Sequence, residues 1–346
     1  MAKQKLNWLL ILQGWAMLWV VIGHSPLKMD ETMPIFAKRL FDIAYSFHMP
    51  LFILVSGYLF YRTRLSSRID SCYNGFKWTY KNIIMDKLKR LGIPFVVFTI
   101  VAMIMKVLFP GDMARPASFT VSEFIHAVLY PREGPLLEMW FVAVIMWMFM
   151  LTPLWELCLK SKFASIFVLV LLFLLQLNVD KLPLGTFLCL RDTARFGVYF
   201  YLGMLASKYA IVDKCEIYKY RIMTLSFVLY LCFQYIGFRF GVAMSAIAFS
   251  IVIALLLDRY AHKIFSSFRD YTYQIFLMSI FAQIAVKMIY KRVALMDIAV
   301  SYPMLVYVVF FVVCLFMGLY IPVLVSKFSE RLNYLPILLT LGLKKK

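Results

Sequence analysis

Ten apolar runs dominate the sequence, at residues 8–24, 41–61, 91–109, 137–157, 163–177, 196–209, 222–238, 242–257, 273–290 and 302–325. A bilayer core of about 30 Å takes about 20 helical residues to cross, so ten such runs use most of a 346-residue chain. With 63% hydrophobic and 16% charged residues and a mean hydropathy of +0.81, too little polar surface remains for a soluble globule. Every backbone amide in hydrocarbon needs an internal partner, and no run shows the polar–apolar alternation of a barrel strand. The expected fold is therefore all-α: a polytopic integral membrane bundle of about ten transmembrane helices. It forms a single transmembrane domain over residues 1–346, with no separate soluble domain. The run at 196–209 is short and needs residues 191–195 to complete its helix.

A net charge of +19 raises the question of nucleic acid, and its distribution argues against it. Lys and Arg collect in alternate loops, as the positive-inside rule requires, instead of forming a stripe interleaved with exposed aromatics. The connection after the second run holds Arg62, Arg64, Arg68, Lys77, Lys81, Lys87, Lys89 and Arg90, whereas the one before it holds only Lys28, Lys38 and Arg39. The basic loop is expected on the cytoplasmic side. An even number of spans then puts both termini there, with Lys344, Lys345 and Lys346 at the end. Lys287, Lys291 and Arg292, at and just after the end of the ninth run, fit this scheme least well. Lys3 and Lys5 before the first run resemble a signal sequence, but no small-residue cleavage site follows, so a retained first helix is expected. The six cysteines show no paired spacing and read as packing residues, neither a disulfide frame nor a metal site. Gly237 and Gly241, flanking Arg239, mark a tight helical hairpin.

Two histidines stand out in this setting. His24 closes the first run at its outer end, and His48 lies a turn or two inside the outer start of the second. Adjacent helices joined by a short loop usually pack together, which brings the two imidazoles within reach of each other. Pro50 cannot donate to the carbonyl of Ser46, so the second helix is expected to kink beside His48 and leave a polar group to be satisfied. Ionisable groups in a membrane are costly and default to function. The plainer alternative is an interfacial His24, with Ser46, His48 and Ser56 bonding between helices. His126 and His262 lack the apolar setting. Gln13, eleven residues before His24, falls on the same face of the first helix, about 16 Å away along its axis.

The stretches LQGWAMLWVVIGHS (residues 12–25), FHMPLFILVSGY (47–58), KLKRLGIPF (87–95) and EMWFV (138–142) resemble membrane acyltransferase family 3. FGVYFYLGMLASK (196–208) resembles a later helix of that family. The resemblance implies about ten spans and the movement of acyl groups, commonly acetyl from acetyl-CoA, onto surface glycans and other acceptors. Three positions depart from the family pattern. Gln13 stands where the family's first helix typically has an arginine, Leu10 where it often has an aspartate, and YQIFLMS (273–279) lacks a histidine found in relatives.

Acyl transfer to a hydroxyl needs a base for the proton, and neutral imidazole suits that task near neutral pH. His24 is the candidate base, or the acceptor of the acyl group as an acyl-imidazole. His48 orients or assists it, or polarises the thioester carbonyl. The phosphates of CoA call for cations, and Lys87, Lys89 and Arg90, with Arg62 and Arg64, stand on the cytoplasmic side. Gln13 is the residue left along the donor's path. Glu138, Trp140, Arg191 and Arg195 stand at the outer membrane level, where sugar hydroxyls arrive.

The expected function is that of a membrane O-acyltransferase of the bacterial cytoplasmic (inner) membrane, active in polysaccharide modification by O-acetylation. It takes acetyl or another short acyl group from cytoplasmic acyl-CoA, a co-substrate and not a permanently bound cofactor, and passes it to an envelope glycan or lipid-linked sugar. Lipid is its other partner, and nucleic acid is not expected. A transporter or flippase of a glycan intermediate, without covalent chemistry, is the alternative from another class. A scaffold subunit of a polysaccharide assembly complex is a third.

Overall fold

A computed structural model describes residues 7–27, 33–65, 84–109, 118–296 and 301–343. Apart from the end residues Phe109, Phe238 and Tyr302, every described part of the ten apolar runs lies in a helix or a turn adjoining one, and no strand occurs among the described residues. In chain order the helices are α1 (Asn7–His24), α2 (Ile35–Phe60), α3 (Met85–Leu108), α4 (Val121–Leu129), α5 (Trp140–Met150), α6 (Thr152–Lys160) and α7 (Lys162–Asn178). There follow α8 (Leu190–Lys208), α9 (Ile211–Ile217), α10 (Lys219–Ile236), α11 (Arg239–Tyr260), α12 (Thr272–Val293), α13 (Pro303–Leu332) and α14 (Leu335–Thr340).

Seven helical segments among the described residues are long and apolar enough to cross a bilayer, or eight if the pair α5 and α6, bent by 53° at Leu151, counts as one span. The two remaining runs form α8 and α10, of 19 and 18 residues. Both carry charges near their ends, Arg191, Asp192 and Arg195 in the first and Lys219 and Arg221 in the second.

The surface of α7 shows what surrounds these helices. Phe163, Ile166, Phe167, Val170, Leu171 and Leu174 are each at least half exposed. Their spacing of three and four residues puts them in one stripe along the helix. In water such a patch drives aggregation, whereas against lipid tails it is ordinary solvent-facing surface. The chain is a multi-pass membrane protein with an all-α fold. Val170 is central in that stripe, so Val170→Asp is expected to cost about 2.5–3.5 kcal/mol of insertion free energy. Glycosylation-tag insertion assays check this, with Val170→Leu expected at the wild-type level.

Packing divides the chain into two compact units. The first comprises residues 1–52 and 212–334, so it holds α1, the start of α2, and α10 to α13. Within it, Asn7 ties the start of α1 to the end of α11 and the segment after it. Its amide donates to Asp258 Oδ1 (2.5 Å) and to the His262 carbonyl (3.0 Å), and its Oδ1 accepts from Arg269 (2.9 Å). Trp15 Nε1 donates to Ser250 Oγ on α11 at 3.1 Å. Gly14 lets Phe265 approach, since a Cβ there would lie 2.8 Å from the Phe265 Cβ. Gly237, at φ +76°, closes α10, and α11 begins two residues later, which is the hairpin that the glycines mark.

The second unit comprises residues 53–211 and 335–346. Its tightest crossing joins the end of α2 to α8. A Cβ on Gly57 would overlap the Phe200 carbonyl oxygen, and one on Gly203 would overlap the Leu54 carbonyl oxygen and lie 2.9 Å from the Tyr58 nitrogen. Small residues on both partners allow backbone-to-backbone approach, the means by which membrane helices gain dispersion contacts that lipid does not supply. Around this crossing, Phe60, Phe149 and Phe200 meet with ring centroids 5.1–6.0 Å apart.

Candidate active site

The site is assembled at the last turn of α1, in the first unit. A helix leaves its final carbonyls without intrahelical donors, and inside a membrane water cannot supply them. Here the surrounding protein does. Ser25 Oγ donates to the Val21 carbonyl at 2.7 Å, and Ser25 N donates to that of Ile22 at 3.1 Å. Gln283 Nε2 on α12 reaches the same Val21 carbonyl at 3.0 Å and Ser25 Oγ at 3.2 Å. One turn further along α12, Lys287 Nζ donates to the His24 carbonyl at 2.8 Å. The four-residue spacing of Gln283 and Lys287 puts both on one face of α12. Gly318 on α13 makes room for this arrangement, since a Cβ there would lie 2.8 Å from Val21 Cγ1 and 3.0 Å from Gln283 Nε2. The Tyr307 hydroxyl holds the following turn by accepting from Leu27 N at 3.3 Å.

Tyr45 brings the two histidines into one cluster. Its hydroxyl lies 3.4 Å from His24 Nδ1. Its ring meets both imidazoles edge-on, with centroids 5.8 Å from His24 and 5.0 Å from His48. Tyr45 precedes His48 by three residues, which puts the two on one face of α2. His48 is 2% exposed, His24 is half-buried and Tyr45 is 46% exposed, so the cluster runs from the interior to the surface of the unit.

The hydrogen bonds fix which nitrogen of His48 is basic. Nδ1 is bonded to the Ala44 carbonyl, and a carbonyl only accepts. Nδ1 must therefore carry a proton, which leaves the lone pair of the neutral ring on Nε2. Helix α2 continues through Pro50 without interruption. Trp19, 5.6 Å from Phe47 by ring centroids, has a buried indole N–H with no hydrogen-bond partner among the described residues.

The other residues singled out from the sequence fall as follows. Gln13 is half-buried on α1. Arg62 is exposed on the π-helical turn Tyr61–Leu65 that ends α2. Arg64 belongs to that turn, and its side chain lies outside the described residues, as do Lys3, Lys5, Lys28, Arg68, Cys72, Lys77, Lys81 and Lys344 to Lys346. On the first turns of α3, Lys89 is exposed, Lys87 Nζ lies 4.7 Å from the Phe149 ring centre, and Arg90 Nε donates to the Gly342 carbonyl at 3.4 Å.

In the second unit Arg191 and Arg195 share the Asp180 carboxylate. Trp140 is buried under the Arg132 guanidinium, 3.9 Å from its ring centre, while Arg132 makes a two-pronged ion pair with Asp192 at 2.6 and 2.9 Å. Glu138 is half-buried on the 3-10 turn Leu137–Met139. His126 stacks on Tyr130, with its Nε2 3.4 Å from a Glu133 oxygen.

Several members of the α1 site were missed from the sequence, Gln283, Ser25, Tyr45 and Lys287 among them. Tyr45 is one aromatic among many, and its only signal is the three-residue spacing to His48. Lys287 did give a signal: it is one of the basic residues that fit the loop-charge pattern least well, because it is not a loop residue but part of α12.

Acyl transfer needs a group to take a proton and a sheltered place for the tetrahedral intermediate, and this cluster has two imidazoles and a phenol inside a lipid-exposed bundle. Compared with known proteins, the chain matches no curated protein sequence and no solved structure. It does match the type 3 acyltransferase family, described as an acyltransferase domain, over residues 6–327. With that match spanning nearly its whole length, the chain belongs to membrane acyltransferase family 3 and is a membrane acyltransferase.

Proposed function

We propose that the protein is an O-acyltransferase of the bacterial cytoplasmic membrane that moves acetyl, or another short acyl group, from acyl-CoA to a sugar hydroxyl of an envelope glycan or its lipid-linked precursor. The observation that carries this reading is the joining of His24 and His48 through Tyr45 in an acyltransferase-family chain.

In the proposed reaction the half-buried His24 imidazole takes the proton of the acceptor hydroxyl as its oxygen attacks the thioester carbonyl carbon. A C–O bond forms and the carbonyl becomes a tetrahedral oxyanion. Collapse of the oxyanion breaks the C–S bond, and the imidazolium returns its proton to the leaving thiolate, giving the acyl ester and free CoA thiol. His24 ends as it began. His48 is a positioning residue: it is held by the Ala44 carbonyl and sets Tyr45, which in turn faces His24 Nδ1. A group so fixed needs no reorganisation as the proton moves.

Lys89 and Arg62, both exposed, are assigned to the CoA phosphates, with Lys87, Arg90 and Arg64 as further members of that set. Gln13, an amide in place of the family's arginine, contributes hydrogen bonding without charge to the donor's path. Glu138, Trp140, Arg191 and Arg195 are assigned to the acceptor. Trp140 and the two arginines would do so from within the ring and ion-pair contacts they already make.

The test uses purified protein in proteoliposomes with acetyl-CoA labelled in the acetyl group and an envelope glycan extract. Label is expected in ester linkage on the glycan, released by mild base. Glycan crossing the vesicle membrane with no label incorporated would instead identify a transporter.

A further inference from the structure

Lys287 carries a further inference, which rests on the reading just given. A lysine near the end of a membrane helix ordinarily stretches toward the interface to keep its ammonium in water. Lys287 instead is half-buried on α12 and binds the carbonyl of His24 at 2.8 Å. One side chain thus meets α1 at the residue whose imidazole faces Tyr45. A cation at the last carbonyl of a helix also opposes the negative end of the α1 dipole.

We propose that Lys287 is a positioning residue for acyl transfer that acts on His24 in two ways. The hydrogen bond fixes the main chain of His24, and with it the origin of the imidazole. The fixed ammonium supplies positive charge beside the place where the thioester carbonyl becomes an oxyanion. The charge effect grows as the transition state forms, because the ground-state thioester is neutral, whereas the bond to the His24 carbonyl is present throughout and keeps the imidazole in place. Neither requires Lys287 to touch the substrate. Gln283, one turn earlier on the same face, bonds to Val21 and Ser25 and holds the same turn without charge. Capping of the α1 terminus is therefore shared, whereas the charge comes from Lys287.

The test compares Lys287→Gln, which keeps a donor but no charge, with Lys287→Arg, which keeps both, in the proteoliposome assay. Lys287→Gln is expected to lose about 10²-fold in kcat with the acyl-CoA KM within about threefold of wild type, and Lys287→Arg to return to within about tenfold of wild-type kcat. A wild-type rate in Lys287→Gln, a loss carried by KM, or an arginine variant no better than the glutamine one overturns the inference. Lys287→Met serves as a second uncharged variant. If neither uncharged variant folds, the role is structural and the inference fails. His24→Ala run alongside separates the two levels: wild type without transfer, or His24→Ala with full transfer, removes the reading itself. An inactive His24→Ala beside a fully active Lys287→Gln removes only the role of Lys287.

Discussion

Replacing His24 with alanine is expected to lower the turnover of acyl transfer by about 10²- to 10⁴-fold, the contribution of a positioned general base. The fall should appear in kcat. Stability should change little, since His24 is half-buried and its carbonyl, which Lys287 holds, is retained in the variant. His48→Ala is a different case, because it removes a buried ring and the donor to the Ala44 carbonyl. His48→Asn retains an N–H donor for that carbonyl and lacks the imidazole's basic nitrogen. If His48 positions Tyr45, the asparagine variant should recover part of the activity that the alanine variant loses. Steady-state label transfer, read beside thermal unfolding of each purified variant, checks both expectations.

The second large effect concerns folding. Gly57→Val and Gly203→Val each put side-chain atoms where a neighbouring backbone carbonyl already lies. Overpacked cores that can relax by shifting side chains usually lose about 1–3 kcal/mol. Here the obstacle is main chain on the partner helix, so α2 and α8 must separate, and each substitution is expected to cost more than about 3 kcal/mol. The folded fraction recovered in detergent, measured by size-exclusion profile and melting, should fall to near zero for either variant. Gly185→Val is the matched control, since a Cβ at that glycine meets nothing within 4 Å.

The helices were legible because hydrocarbon leaves a chain few options. Apolar length alone marked the ten runs, of which α8 and α10 carry charges near their ends. His24 and His48 were legible for a related reason: an imidazole in an apolar run is costly enough to need a purpose. What joins them was not. Tyr45 sits in a chain with 21 tyrosines, and choosing it requires knowing which face of α2 meets α1.

Lys287 shows a different limit. Its charge conflicted with the loop pattern, and the conflict was itself informative, but its partner lies 263 residues away in the chain. Gly57 and Gly203 have the same character. Each glycine invites close approach, and the sequence does not say to what. The pair Arg132 with Asp192 likewise joins residues 60 apart in the chain, a separation no local pattern encodes.

The central claim is that acyl transfer takes place at the His24, Tyr45 and His48 cluster. It is tested most directly by photolabelling the wild-type protein with a CoA thioester whose acyl group carries a diazirine, followed by peptide mapping. Adducts competed by acetyl-CoA are expected on the peptides that contain His24 and Tyr45 to His48. Competed adducts confined to other helices, with none on those two peptides, would contradict it.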